Sequence, residues 1–140
     1  ELMLSGWQFT QLMEFIAAVR REGRIELNFS CEGFVGRYEG LVRDHLFHCI
    51  AGVSVASILS DGSISGCLSI RSDYHQGNIH KDDFWQVWEN GFGPYRNRRW
   101  MKTGECSHCK AWRYCLGGAM HLRDSAGSLL SCNYLKLTHC

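Results

Sequence analysis

The 140-residue chain lacks several features that would place it in a broad functional class. It has no run of about 18 apolar residues, so the sequence predicts no membrane-spanning helix. The formal net charge is only +1, which gives no excess of positive charge for binding nucleic acid or a membrane surface. A single proline and 45% hydrophobic residues are typical of a folded domain and not of a disordered segment.

The N-terminus also lacks the features of a targeting segment. Residues 1–8 have neither the basic stretch nor the apolar stretch of a signal peptide, so we expect a cytoplasmic protein. The chain does not begin with methionine. We therefore expect it to be a piece of a longer protein.

The first predicted element is an amphipathic helix over about residues 7–22, because apolar residues recur there at helical spacing. The sequence Ser5-Gly6-Trp7-Gln8 has the form of a capping box, and Gly23 suits the end of the helix. Residues 25–29 alternate between apolar and polar, which predicts a strand. A helix followed directly by a strand is half of an α/β repeat and indicates a truncated α/β unit.

The second predicted element is a β-hairpin formed by residues 53–59 and 64–70. Asp61-Gly62 between them favours a tight turn. Cys49 precedes the first strand and Cys67 lies late in the second. Because a hairpin brings its strand ends together, we expect these two thiols to lie close to each other.

The segment after the hairpin predicts short elements. Residues 71–80 have the composition of a polar loop. Asp82 is expected to cap a helix that ends at Gly91, and Pro94 suits the first turn of another short helix.

The chain has eight cysteines, and three of them cluster near one another. Cys106 and Cys109 form a C-x2-C pair, followed by Cys115 and, further on, Cys132. Four thiolates are the full ligand set of a structural zinc site or of a 4Fe–4S cluster, and the spacing does not separate the two. A disulfide scaffold is the third alternative, less favoured because a chain of this length does not need disulfide staples.

The order and spacing of the cysteines resemble the SPASM domain, the auxiliary iron–sulfur domain of many radical S-adenosylmethionine enzymes. Its opening pattern corresponds to Cys49, twelve residues, Gly62, four residues and Cys67. Its second part is a C-x2-C-x5-C-x3-C run with a final cysteine. The positions that match this second part are Cys106, Cys109, Cys115 and Cys132. The resemblance covers about residues 49–135.

The resemblance implies one complete cluster site and one incomplete site. The complete second auxiliary site would consist of Cys106, Cys109, Cys115 and Cys132. The first auxiliary site keeps Cys49 and Cys67, but Ala119 stands where the family has its next cysteine. His121 is our candidate for the missing ligand, since imidazole replaces thiolate at some iron–sulfur irons, and His48 is another. The alternative is that this first site is lost.

The implied fold is α+β, with a hairpin and short helices around one or two cysteine-ligated 4Fe–4S clusters. This domain would span residues 49–140, and residues 1–48 would be the last helix and strand of a partial (β/α) barrel. The aromatic residues nearby are interpreted as shielding of a metal centre and not as a surface for stacking nucleic-acid bases. They are Trp100, Trp112, Tyr114 and Tyr134.

The implied function is that of an auxiliary domain in a radical enzyme that modifies a peptide or protein, where it serves electron transfer, substrate positioning and structure. The chain lacks the C-x3-C-x2-C motif of the radical-generating cluster, so we do not expect it to be active alone. S-adenosylmethionine would bind to the N-terminal barrel of the full-length chain, and a flavodoxin or ferredoxin would supply electrons. Leu68 stands where the sulfatase-maturing branch has an aspartate, which favours modification of ribosomally made peptides.

One alternative function stays open at the level of the sequence. The chain would then be a zinc-stabilised four-cysteine binding module without a redox role, and zinc can also replace iron in an isolated fragment. Cys31 is expected to be a semi-buried structural thiol, with contact to substrate as the alternative. Cys140 is expected to lie in a frayed chain end.

Overall fold

The structure is a computed structural model that describes residues 3–138, so Cys140 lies outside the described residues. It is an α+β fold in which short elements are joined by irregular segments. The five helices are α1 (Gly6–Glu22), α2 (Phe84–Asn90), α3 (Gly93–Arg96), α4 (Trp112–Cys115) and α5 (Asn133–Thr138). The three strands are β1 (Ser57–Ile58), β2 (Ser63–Ser65) and β3 (Gly77–Asn78). No helix within the described residues is long and apolar enough to cross a membrane.

The prediction of helix α1 is confirmed, including both of its ends. The Ser5 side chain accepts a hydrogen bond from the Gln8 amide, and the Gln8 side chain accepts one from the Ser5 amide. Gly23 ends the helix in the left-handed conformation with φ of 67°. The apolar face buries Phe9, Met13 and Ile16 in a core that includes Val35, Tyr38 and Val42, and α5 packs against the same helix.

The predicted strand at residues 25–29 is wrong, since the structure has no strand within this segment. The Phe29 amide donates to the Val42 carbonyl at 2.7 Å, and the Arg20 side chain contacts the Leu27 carbonyl. Alternation of side chains favours an extended backbone, but a strand also needs a neighbouring strand with which to form a ladder. The segment remains extended and irregular.

The predicted hairpin is confirmed, with shorter strands than expected. Strands β1 and β2 pair antiparallel, with Ile58 opposite Ile64, and Gly62 in the turn has φ of 83°. Strand β3 pairs with β2, and Gly77 lies opposite Ile64. The expectation that residues 71–80 form only a polar loop is therefore wrong in part.

Local side-chain contacts explain the elements after the hairpin. The Asp82 carboxylate accepts from the Asn78 amide at 2.7 Å and thereby fixes the end of β3. Asp83, and not the predicted Asp82, is the N-cap of α2, and its side chain accepts from the Gln86 amide at 2.9 Å. Pro94 lies in the first turn of α3, as predicted.

Tyr95 is the central side chain of the core beneath the hairpin. It is fully buried, and its hydroxyl donates to the Tyr74 carbonyl at 2.6 Å. Its ring fills the space beside Gly52 and Gly66, where an added Cβ would lie 2.5 Å and 2.4 Å from ring atoms. These two glycines allow the backbone segments that carry Cys49 and Cys67 to approach the same ring.

We predict that Gly66→Ala lowers the free energy of unfolding by about 1–3 kcal/mol, because overpacking a rigid core forces side chains and backbone to move. Urea unfolding measures this change. Gly93→Ala is the matched control, since an added Cβ at Gly93 meets no atom within 4 Å. Equal stability of the two variants would contradict the packing described for Tyr95.

Candidate metal centre

Four cysteines that are far apart in the sequence line one cavity. They are Cys106, Cys109, Cys115 and Cys132. The wall of the cavity also contains Phe34, Trp112 and Tyr134, so aromatic rings form part of the surface around the thiols. The structure thus brings together all four residues of the site that the sequence predicted to be complete.

Short turns position these thiols. Cys106 ends the turn Gly104–Cys106, Cys115 ends α4, and Cys132 directly precedes α5. After α4 the backbone reverses through Gly117 and Gly118, with φ of 88° and 82°. An added Cβ at Gly117 would lie 2.8 Å from the Cβ of Met101, so this turn depends on glycine.

Backbone amides lie near two of the sulfurs. Against the larger effect of burial, the Gly117 amide lowers the pKa of the Cys115 thiol, and the Leu135 and Tyr134 amides lower the pKa of the Cys132 thiol. Amide hydrogen bonds to sulfur are one of the means by which proteins hold cysteine-ligated clusters and set their potentials. The ordering of α5 after Cys132 therefore contributes directly to the site.

Burial changes the acidity of the thiols in this cavity. Burial first, and then the neighbouring thiols of Cys132, Cys106 and Cys109, raise the pKa of Cys115 to about 11. Burial also raises the pKa of Cys132. Because cysteine binds metals as the thiolate, metal binding at Cys115 would release a proton to solvent.

Arg123 is a residue of the candidate site that the sequence did not reveal. It is only 1% exposed, and its guanidinium donates to the Cys106 sulfur at 3.3 Å and to the Gly117 carbonyl at 2.8 Å. Its Nε is buried without a hydrogen-bond partner among residues 3–138. A buried cation is stable only near compensating negative charge or acceptors, so this position suits a site that becomes negatively charged. No spacing pattern could identify it.

The first auxiliary site was expected to contain Cys49 and Cys67. Both cysteines pack against the core around Tyr95. The structure adds a third thiol. The pKa of Cys31 is raised by burial first, then by Cys67, with Cys49 among the further causes. Cys31, Cys49 and Cys67 are therefore close enough to interact electrostatically. Cys31 is exposed as a whole residue, although surrounding atoms partly desolvate its thiol, so the expectation of a semi-buried residue is wrong.

Arg43 fixes the loop that carries Cys31. Its guanidinium donates to the Gly33 carbonyl at 3.1 Å and lies over the rings of Phe29 and Phe47. This contact holds the segment before Cys49 beside the segment around Cys31. The sequence contained no signal for this juxtaposition, because it depends on a long-range contact.

Ala119 and His121 follow the Gly117-Gly118 turn. Ala119 is 1% exposed and belongs to a small core against which Cys49, Cys109 and Cys115 pack. His121 lies beside Glu32, with 3.4 Å between its Nε2 and the carboxylate. A role for His121 as a ligand stays a prediction.

Whether the thiols are free or paired bears on the alternatives of a disulfide scaffold and a single-ion metal site. All seven described cysteines are free, so the disulfide scaffold is not what the structure has within residues 3–138. In the same residues, no group of three or more His, Cys, Asp or Glu side chains has the spacing of a single-ion site.

The comparisons with known proteins add one finding. Residues 49–110 match the family model of SPASM, an iron–sulfur cluster-binding domain, and the matched stretch contains Cys49, Cys67, Cys106 and Cys109. A search of curated proteins and a search of solved structures found no match. Residues 49–110 of this chain are therefore similar to the SPASM iron–sulfur cluster-binding domain.

Proposed function

We propose that the chain is the auxiliary iron–sulfur part of a radical S-adenosylmethionine enzyme that modifies a peptide or protein. The observation that carries this proposal is the single cavity lined by four thiols within and just beyond a SPASM domain. The residues that would hold a 4Fe–4S cluster there are Cys106, Cys109, Cys115 and Cys132. The cluster would supply one-electron transfer.

The surroundings of this cavity fit such a group. The buried guanidinium of Arg123 contacts the Cys106 sulfur, and the amides of Gly117, Leu135 and Tyr134 lower the pKa of the neighbouring thiols against the larger effect of burial. A four-thiolate cluster carries net negative charge, which these donors would stabilise. The aromatic wall would limit the access of water.

The role of this site follows from its ligand count. Four protein thiolates fill the coordination positions of a 4Fe–4S cluster, which leaves no iron free for substrate. We assign this site to electron transfer and to the stability of residues 100–135. S-adenosylmethionine would bind to an N-terminal barrel of a full-length cytoplasmic chain, with a flavodoxin or ferredoxin as electron donor.

Leu68 supports the choice of substrate class. It is 70% exposed beside Cys67, at the position where the sulfatase-maturing branch has an aspartate. A leucine side chain cannot accept a proton, so we favour modification of ribosomally made peptides over sulfatase maturation.

We predict that anaerobically purified protein contains about four irons and four sulfides per chain for one cluster, and clearly more for two. Iron, sulfide and zinc analyses together with visible absorption measure this. Zinc without iron after anaerobic reconstitution would contradict the proposal and favour the zinc-stabilised binding module.

We predict that Cys115→Ala unfolds much of residues 100–135, because metal binding supplies folding free energy where regular structure is short. Limited proteolysis and far-UV circular dichroism measure this loss. Arg113→Ala, on the same helix and exposed, is the control. An unchanged protease pattern for Cys115→Ala would refute the expected coupling of folding to cluster binding.

We further propose that Cys31 joins Cys49 and Cys67 in the first auxiliary site. Its electrostatic interaction with both thiols supports this choice, whereas His121 pairs with Glu32. Ala119 provides no ligand, so the site would have three thiolates from this part of the chain.

We predict that Cys31→Ala lowers the iron content of a two-cluster protein from about eight to about four per chain, because two thiols rarely retain a cluster. His121→Ala is the matched comparison and should keep about eight. The opposite result, with loss only in the His121 variant, would restore His121 as the ligand.

A further inference from the structure

A second cavity, beside the segment that carries Cys49, has a basic lining. Its volume is about 610 Å³, within the range of small-ligand sites. Arg96, Arg98, Arg99 and His48 line it, and no aspartate or glutamate does. None of these three arginines lies within 4 Å of a carboxylate among residues 3–138. The positive charge of this cavity is therefore not neutralised by the described part of the protein.

The three arginines differ in how they are held. Arg98 is buried, and its guanidinium donates to the carbonyls of Tyr95, Gly118 and Cys49. Arg96 likewise donates to three backbone carbonyls. Both guanidinium groups are thus fixed in place and still carry full charge.

Arg99 is the arginine that is free to bind a ligand. It is exposed, and its side chain makes no hydrogen bond or ion pair with any of residues 3–138. A guanidinium with all of its donors available forms bidentate hydrogen bonds with an oxyanion. Its position on the rim, next to two fixed cations, favours an anion over any neutral polar group.

The remaining wall of the cavity is apolar and indicates more than a free inorganic ion. Val53, Trp112 and Leu116 line it, and Val53 is 41% exposed. The cavity is much larger than a single oxyanion, and these side chains would contact an apolar group attached to that oxyanion. An acidic peptide with neighbouring apolar side chains has this combination. A concave site also suits an extended peptide better than the convex surface of a folded acidic protein.

We propose that this cavity binds a carboxylate side chain of an acidic peptide, with Arg99 as the direct contact and the cations of Arg96 and Arg98 behind it. The proposal rests on the function proposed above and gives its substrate a chemical class. The link to the metal site is direct, because Arg98 donates to the Cys49 carbonyl at 2.8 Å and His48 precedes Cys49 in the chain. A peptide held here would lie beside the first auxiliary site.

The test is isothermal titration calorimetry of the anaerobically purified whole chain with two end-blocked peptides, Leu-Glu-Glu-Leu and Leu-Gln-Gln-Leu. We expect the glutamate peptide to bind at least about tenfold more tightly at low salt, and the preference to shrink at high salt, because the contact is charge-assisted. Arg99→Gln should weaken binding of the glutamate peptide about fivefold or more. Arg24→Gln is the control with the same charge change, since Arg24 is exposed and lines a different cavity near α1.

Several results would overturn the proposal. Equal binding of the two peptides, or equal losses in the Arg99 and Arg24 variants, would remove the specific contact. Binding of inorganic phosphate that fully displaces the glutamate peptide at equal concentration would indicate a small-anion site. Slower cluster reduction by an acidic ferredoxin in Arg99→Gln, with peptide binding unchanged, would assign the arginines to an electron donor. Iron analysis of each sample separates these outcomes from failure of the proposed function, which would appear as protein without iron.

Discussion

The buried guanidinium of Arg98 is the contact on which the arrangement of both candidate sites depends. It donates to the carbonyls of Tyr95, Cys49 and Gly118, three segments that are distant in the sequence. A buried cation without acceptors is costly, so the three carbonyls must stay in place together once Arg98 is inside. The segment that begins the hairpin and the turn that follows α4 are thereby fixed relative to each other.

Arginine–carbonyl contacts replace regular structure in much of this domain. The three strands are two or three residues long, and α3 and α4 have four residues each. Arg96 and Arg123 repeat the contact made by Arg98, each donating to backbone carbonyls of irregular segments. A region with so little regular structure would gain folding free energy from a bound metal, as we propose for the four-thiol cavity.

Local chemistry in the sequence was sufficient to predict α1, the hairpin and the four thiols of the cavity. A capping box and an Asp-Gly turn each act over a few residues, and the spacing of the cysteines can be read directly from the sequence. The prediction of a strand at residues 25–29 was wrong because alternating apolar and polar residues do not supply a partner strand. The sequence analysis did not predict strand β3 or the approach of Cys31 to Cys49. Both depend on long-range contacts, which local patterns do not encode. The position of Arg123 beside the Cys106 sulfur depends on burial of its side chain, which cannot be read from a single sequence.

The distribution of positive charge links the two cavities. Near the four thiols, Arg123 is buried and contacts a sulfur, so its charge is directed inward to the candidate metal centre. Beside Cys49, Arg98 is buried but Arg99 is exposed, so the same short segment directs one charge inward and one toward solvent. Inward charge would stabilise a negatively charged cluster whatever the substrate is. Outward charge is available to a ligand, and under our proposal it would distinguish ligands by their charge.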